Sequence, residues 1–243
     1  MRPCPPVLAR TVRGAALLLG LAAGGAAAQD CRLALVLALD VSSSVDAAED
    51  RLQREGTGRA LVAPDVVRAF LLGDPVALYA FEWSGRRAQV PLLPGWVLVR
   101  SEDDLRRVAS AIAKARRSHN ELPTALGAAL GFAATRLGDA PDCRARTIDV
   151  SGDGMNNESF GPRIAYETFP FDGVTVNALV IGGSRSAAEL VAWFQDEVLR
   201  GPGAFSIFAD GYQSYEDAMR AKLLRELEIP AVSSLPGGRS DAG

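Results

Sequence analysis

Residues Leu33–Ser44 read LALVLALDVSSS. The apolar run from Leu33 to Leu39 stops at Asp40, and small hydroxyl side chains follow at Ser42 and Ser44. An unbroken apolar run bounded by polar residues predicts a strand buried on both faces of a parallel sheet. The polar cluster then lies just past the carboxyl end of that strand, where open α/β sheets bind ligands.

Working outward, Val45 to Val62 has helical spacing, with Ser44 or Asp46 as its N-cap and Gly56 and Gly58 weakening its second half. Pro64 and Asp65 open a short helix that Gly73 stops. Val76–Trp83 and Gln89–Leu93 read as strands, and Ser101–Arg116 as a helix with a Ser101/Asp104 capping box. After the polar loop Arg117–Pro123, Thr124–Leu137 is a helix whose many Ala and Gly residues imply close packing on its neighbours. Arg146–Val150 is a second buried strand, ending in the loop Ser151–Asn157. A helix, the strand Val174–Ile181, the helix Ala187–Leu199, the strand Ala204–Ala209 and the helix Tyr215–Glu228 continue the alternation. This order predicts a doubly wound α/β domain over 30–229, with a mainly parallel sheet and helices on both faces. The Pro-, Gly- and Ser-containing stretch 230–243 is expected to be a disordered tail.

The N-terminus is expected to lie outside the fold. Arg2, Arg10 and Arg13 precede an uncharged Leu/Ala-rich stretch that ends in Ala26-Ala27-Ala28, the pattern of a cleaved secretory signal peptide over 1–28. The stretch is short for a transmembrane helix, which needs about 20 residues, so no stable membrane anchor is expected. The 243-residue chain carries a net charge of −3; without the three leader arginines, 23 basic residues face 29 acidic ones, a net charge of −6. An acidic chain argues against nucleic acid and against anionic membranes. Export, to periplasm or beyond, places Cys31 and Cys143 in an oxidising compartment. Cys31 lies nine residues before Asp40 and Cys143 ten before Asp153. At about 3.3 Å per residue, neighbouring parallel strands would set both cysteines at similar depth, and a disulfide between them is expected.

Three polar loops follow apolar segments: Asp40–Ser44, the Thr124 loop, and Ser151-Gly152-Asp153-Gly154. Two carboxylates and three hydroxyls are hard oxygen donors suited to Mg²⁺, Mn²⁺ or Ca²⁺. Held by only two charges, such a cation keeps residual positive charge and a position open to an incoming carboxylate. The pattern Asp40-x-Ser42-x-Ser44, a downstream Thr124 opening a helix, and Asp153-Gly154 after a buried strand resembles the metal-ion-dependent adhesion site of von Willebrand factor type A (vWA) domains. The resemblance runs from Leu33 to about Glu228. Phe81-Glu82-Trp83-Ser84 and Asp149–Gly154, followed by Asn156-Asn157, look like an exported bacterial branch. It implies that Ser42, Ser44 and Thr124 contact a divalent cation, foremost Mg²⁺, through their hydroxyls, and that Asp40 and Asp153 contact it directly or through water. One departure stands out: Asn120-Glu121-Leu122-Pro123 precedes Thr124 where the family usually has glycine, which bears on how Thr124 is placed.

The competing reading is that Asp40 and Ser44 cap the first helix and Asp153-Gly154 forms a turn. Asp149, inside a buried strand, must be paired; it either orients the serine loop or makes a purely structural bond, the reading favoured here. His119 reads as a solvated loop residue. Glu82 and Trp83 either border a partner surface or pack an edge strand on a helix. The function expected is an extracytoplasmic module whose metal engages an acidic residue of a protein partner. The alternatives are a metal-dependent hydrolase, which lacks Asp-x-Asp, His-Glu-x-x-His and Gly-x-Ser-x-Gly motifs, and a structural domain with a degenerate site.

Overall fold

Strand β1 (Cys31–Asp40) runs through the middle of the sheet, and its side chains explain why both faces are covered. The computed structural model describes Met1 and residues 31–183 and 186–228. The expected signal peptide, Met1 apart, and the expected 230–243 tail lie outside the described residues.

Helices α1 (Ala47–Leu61) and α2 (Pro64–Phe70) follow β1, then strands β2 (Val76–Trp83), β3 (Gln89–Pro91) and β4 (Val97–Val99). Next come α3 (Glu102–Lys114), α4 (Leu126–Leu137), β5 (Cys143–Gly152), α5 (Pro162–Thr168) and β6 (Val174–Ile181). The chain closes with α6 (Ala187–Trp193), which widens into a π-helical turn over Phe194–Val198, then β7 (Ser206–Ala209) and α7 (Tyr215–Glu226). The sheet order is β3-β2-β1-β5-β6-β7, parallel from β2 through β7. β3 and β4 pair antiparallel with the two ends of β2. The direction of winding reverses between β1 and β5, so the loops after these two strands border the switch-point crevice.

Leu33, Leu35, Leu37 and Leu39 of β1 pack with α1, α2, α3 and α7, around Leu61, Phe70, Leu105 and Met219. Ala34, Val36 and Ala38 point the other way, toward Leu130 and Ala133 of α4 and Phe194. Small β1 side chains on that face let α4 sit close. A Cβ on Gly127 would lie 2.1 Å from the Phe160 carbonyl, so the Gly/Ala composition of α4 is a packing requirement. Burying each large apolar side chain contributes about 1.5–3 kcal/mol, and truncating one such as Leu37 to Ala would cost about 2–5 kcal/mol.

Several boundaries differ from expectation for physical reasons. Asp46, not Ser44, caps α1: its Oδ1 accepts the Ala48 and Glu49 N–H groups, and Glu49 accepts the Asp46 N–H. Gly56 and Gly58 leave α1 unbroken, because Gly58 lies against Ala109 and Ala113 of α3 and Gly56 against Tyr215. Helix α4 begins at Leu126, which leaves Thr124 in the preceding loop. β5 is longer at both ends than Arg146–Val150, and β4 was not anticipated. The Ser101/Asp104 capping box forms as expected. Cys31 and Cys143 are register partners on β1 and β5 and are joined by a disulfide, with Cα atoms 4.5 Å apart. That bond spans 112 residues at the end of the sheet opposite the polar loops.

Candidate metal centre

Asp40 is the last residue of β1, and the chain turns at once. The Val41 N–H donates to the Trp83 carbonyl, and the Ser42 N–H returns 2.7 Å to Asp40 Oδ1. This fixes one carboxylate oxygen and aims the Ser42 hydroxyl along the loop, where it lies 3.1 Å from Ser44 Oγ. Ser44 Oγ donates to Asp153 Oδ1 at 2.7 Å, across from the loop after β5. Asp40, Ser42, Ser44 and Asp153 thus stand in one hydrogen-bonded chain. Because Asp46 supplies the cap of α1, Ser44 is released for this contact, which removes its role as a helix cap.

Thr124 closes the other side. Its N–H donates to Asn157 Oδ1 at 2.9 Å, and its carbonyl accepts the Asn157 and Glu158 N–H groups at 2.9 and 3.2 Å. Asn156 Oδ1 takes the Gly127 N–H at the start of α4. The Asn156-Asn157 pair therefore ties the loop after β5 to the Thr124 loop, despite Pro123 and the absence of glycine before it. A Cβ placed on Gly154 would lie 3.7 Å from Thr124 Oγ1, and one on Gly152 would lie 3.3 Å from Asp40 Oδ2. The second contact is tight, so glycine at 152 leaves Asp40 Oδ2 uncrowded, whereas the first is ordinary van der Waals contact.

The electrostatics of the cradle are unbalanced. Asp40, Ser42 and Thr124 are buried, while Ser44 is exposed at the mouth. Burial, with the charge of Asp153 added, pushes the Asp40 carboxyl up to about 8. Asp153 is also raised by burial, and the Ser44 hydrogen bond works against that shift. Asp40 Oδ2, the Trp83 indole N–H and the Tyr212 hydroxyl are buried without hydrogen-bond partners among the described residues. Tyr212 follows Gly211, whose φ of 79° turns the chain after β7, and its hydroxyl is raised by burial and by the Asp153 and Asp40 charges. An unpaired buried carboxylate is costly. A hydrated cation beside Asp40 Oδ2 would remove that cost, and the donors fit one: two carboxylates and three hydroxyls, all hard oxygen. Among the described residues no group of three or more His, Cys, Asp or Glu side chains could hold a metal, so a cation at this place depends on the hydroxyls.

Residues not singled out in the sequence support the loops. The Arg117 guanidinium donates to the Val45, Val41 and Ser42 carbonyls at 2.6, 2.9 and 3.0 Å and to the His119 carbonyl at 2.6 Å. Gln53 Nε2 donates to the Asp40 carbonyl at 2.7 Å. Glu82 and Trp83 do not border a surface: both are buried, and β3 and β4 cover the side of β2 that would have been an edge. Glu82 pairs with Arg54 of α1 and accepts the Ser118 N–H at 2.8 Å. Asp149 faces α7, where Lys222 Nζ lies 3.0 Å from its Oδ1, so it does not orient the serine loop. His119 is half-buried, with Nδ1 2.7 Å from Ser118 Oγ.

A mainly parallel sheet with helices on both faces, and a polar cradle at the carboxyl ends of β1 and β5, is the architecture of a vWA domain. Solved structures share it. Von Willebrand factor type A from Catenulispora acidiphila matches with a TM-score of 0.56 at 14% identity, over 81% of this chain and 43% of that one. Proximal thread matrix protein 1 from the mussel byssus, in a structure with a zinc-occupied MIDAS motif, matches with a TM-score of 0.52 at 17% identity, over 82% and 49%. An aerotolerance-related membrane protein from Bacteroides fragilis NCTC 9343 matches with a TM-score of 0.51 at 22% identity, over 79% and 99%. The chain spans about half the length of the mussel protein and less than half of the Catenulispora one, and at these identities the likeness establishes the fold. Residues 30–231 match the family described as Protein of unknown function (DUF1194), and the chain belongs to that family. No curated protein matches it.

Proposed function

We propose that this chain is an exported, non-enzymatic binding module that engages a protein partner through a divalent cation. Asp40, Ser42, Ser44, Thr124 and Asp153 would hold the cation, foremost Mg²⁺, with Mn²⁺ or Ca²⁺ as substitutes. The bound ion supplies a Lewis-acidic position for a carboxylate oxygen of the partner. The chain's own residues do the rest: Ser42 and its N–H orient Asp40, Ser44 positions Asp153, and the Asn156-Asn157 tie sets Thr124. The observation that carries this reading is Asp40 Oδ2, a buried carboxylate oxygen without a hydrogen-bond partner among the described residues, on a residue that hydrogen bonds link through Ser42 and Ser44 to Asp153.

The comparisons support the reading in kind. One matched structure is a pilus adhesin from Lactobacillus rhamnosus GG, and the mussel protein's MIDAS motif holds zinc. Export agrees with the Cys31–Cys143 disulfide, a bond of oxidising compartments. Among the described residues no helix is long and apolar enough to cross a membrane. For the hydrolase alternative, the Ser118–His119 contact joins neighbouring residues on a loop, and a nucleophile needs a base that is itself oriented by a third group.

The test is calorimetric titration of the mature protein with Mg²⁺, Mn²⁺ and Ca²⁺, beside Asp40→Ala. Saturable binding by the wild type that the variant loses is the expected result. Absence of binding by the wild type would overturn an autonomous metal site. Metal-dependent turnover of a phosphoester panel would favour the hydrolase instead.

A further inference from the structure

Next to the cradle, on the Thr124 side, a cavity of about 350 Å³ opens between Arg86 and Arg87 of the β2–β3 turn, His119 and Leu122 of the α3–α4 loop, and Glu158. Its walls are the backs of the loops that form the cradle. The Leu122 carbonyl accepts the Ser43 N–H at 2.8 Å, and the Glu158 N–H donates to the Thr124 carbonyl. Glu158 Oε2 accepts the Arg86 backbone N–H at 2.7 Å, which fixes the turn against the loop after β5. That contact uses the Arg86 backbone and leaves its guanidinium free. Both arginines are exposed, and no carboxylate pairs with either guanidinium among the described residues.

Two exposed guanidinium groups without a carboxylate partner among the described residues thus stand side by side at the rim of the proposed cation site, in a chain whose expected mature net charge is −6. A cavity of this size has room for an acidic side chain and is too small for a folded element. Guanidinium binds carboxylate through paired, charge-assisted hydrogen bonds. A positive rim also steers an acidic partner toward the site while the acidic remainder repels it.

We propose that this cavity is a second anchor for the same partner: an acidic segment that gives one carboxylate to the metal places a second acidic side chain against Arg86 and Arg87. The proposal rests on the metal-binding reading of Asp40 and its neighbours and specifies the partner's chemistry as a two-acid motif. Glu158, the one acid lining the cavity, opposes the second contact. Its removal should therefore strengthen binding.

The experiment pans a displayed random decapeptide library on the full mature protein in Mg²⁺ and elutes with EDTA. Wild type should select peptides with two acidic residues at a fixed spacing. R86E/R87E should keep one acid and replace the other with Lys or Arg. A peptide chosen on the wild type should bind R86E/R87E about tenfold more weakly and Glu158→Gln about threefold more tightly, in line with rim charges acting on association. Mg²⁺ binding should persist in each of these variants, and R86Q/R87Q, with an intact melting curve, separates loss of charge from loss of fold. A one-acid consensus in both wild type and R86E/R87E would overturn the second anchor and leave the metal site standing. No EDTA-released peptide, together with no Mg²⁺ binding, would overturn the metal reading and the anchor with it.

Discussion

Two buried aspartates on adjacent strands are treated in opposite ways. Asp149 on β5 and Asp40 on β1 are both almost fully buried, and burial raises their carboxyls to about 7 and about 8. Neither Asp149 oxygen has a hydrogen-bond partner among the described residues, but the Lys222 ammonium lies 3.0 Å away as an ion pair; Lys222 is shared with Glu226 at 2.7 Å, which in turn accepts the Asn177 amide at 2.8 Å. Asp40 has one oxygen held by the Ser42 N–H and the other bare, and its nearest acidic neighbour is another carboxylate, Asp153. Asp149 has an ammonium group in contact, whereas Asp40 has only the more distant charge of Arg117 opposing its shift. The first carboxylate ties β5 to α7; in the function proposed above, the second would receive an ion from solution.

Breaking the paired side should have the largest effect. Lys222→Met leaves Asp149 and Glu226 buried without their cation, and loss of one partner of a buried pair costs about 3–5 kcal/mol. Urea denaturation checks this, and a loss under about 1 kcal/mol would mean that Asp149 is not held by Lys222. The supporting loop comes next. Arg117→Met strips the carbonyls of Val41, Ser42 and Val45 of a charged donor, at a cost of about 2 kcal/mol. It should also weaken Mg²⁺ binding about tenfold, as loss of a group that orients ligands does. Calorimetry that finds unchanged affinity would confine Arg117 to stability.

The pH dependence sharpens the same contrast. The Asp40 carboxyl is raised in the folded state, so the folded protein holds the proton more tightly than the unfolded chain does. In EDTA this contribution is complete below about pH 4 and is lost as pH rises through about 8, with a slope of at most about 1.4 kcal/mol per unit for one proton. Mg²⁺ competes with that proton, so its affinity should rise over the same window and level off near pH 8. Titrations at several pH values check this, and affinity independent of pH would detach the metal from Asp40.

The fold was legible where one physical rule acted alone. The run Leu33–Leu39 had to be buried on both faces, and equal depths along β1 and β5 brought Cys31 to Cys143. The resemblance to the adhesion site grouped Asp40, Ser42, Ser44, Thr124 and Asp153; hydrogen bonds join Asp40, Ser42, Ser44 and Asp153 in one chain, and the Asn156-Asn157 pair brings the Thr124 loop beside it. Val97–Val99 is too short to show a period, and the π-helical turn Phe194–Val198 carries the same apolar spacing as the α-helix that it extends. Arg117 could not be found, because it acts on carbonyls 72 to 76 residues earlier in the chain, and carbonyls have no side-chain signature. Lys222 gave no sign either: a lysine in KLLRE reads as solvent-facing until the helix is seated on Asp149.

The central claim is that the bare oxygen of Asp40 awaits a cation, and thermal unfolding of wild type and Asp40→Asn, each in EDTA and in Mg²⁺, tests it most directly. Asparagine keeps the acceptor for the Ser42 N–H and removes the charge. The account predicts that above about pH 8, where Asp40 is ionised, the variant melts higher than wild type in EDTA, and that it does not respond to Mg²⁺. Wild type should gain about 2.7 kcal/mol when Mg²⁺ stands at a hundred times its dissociation constant. A variant that melts lower in EDTA, or that responds to Mg²⁺ as wild type does, would contradict the account.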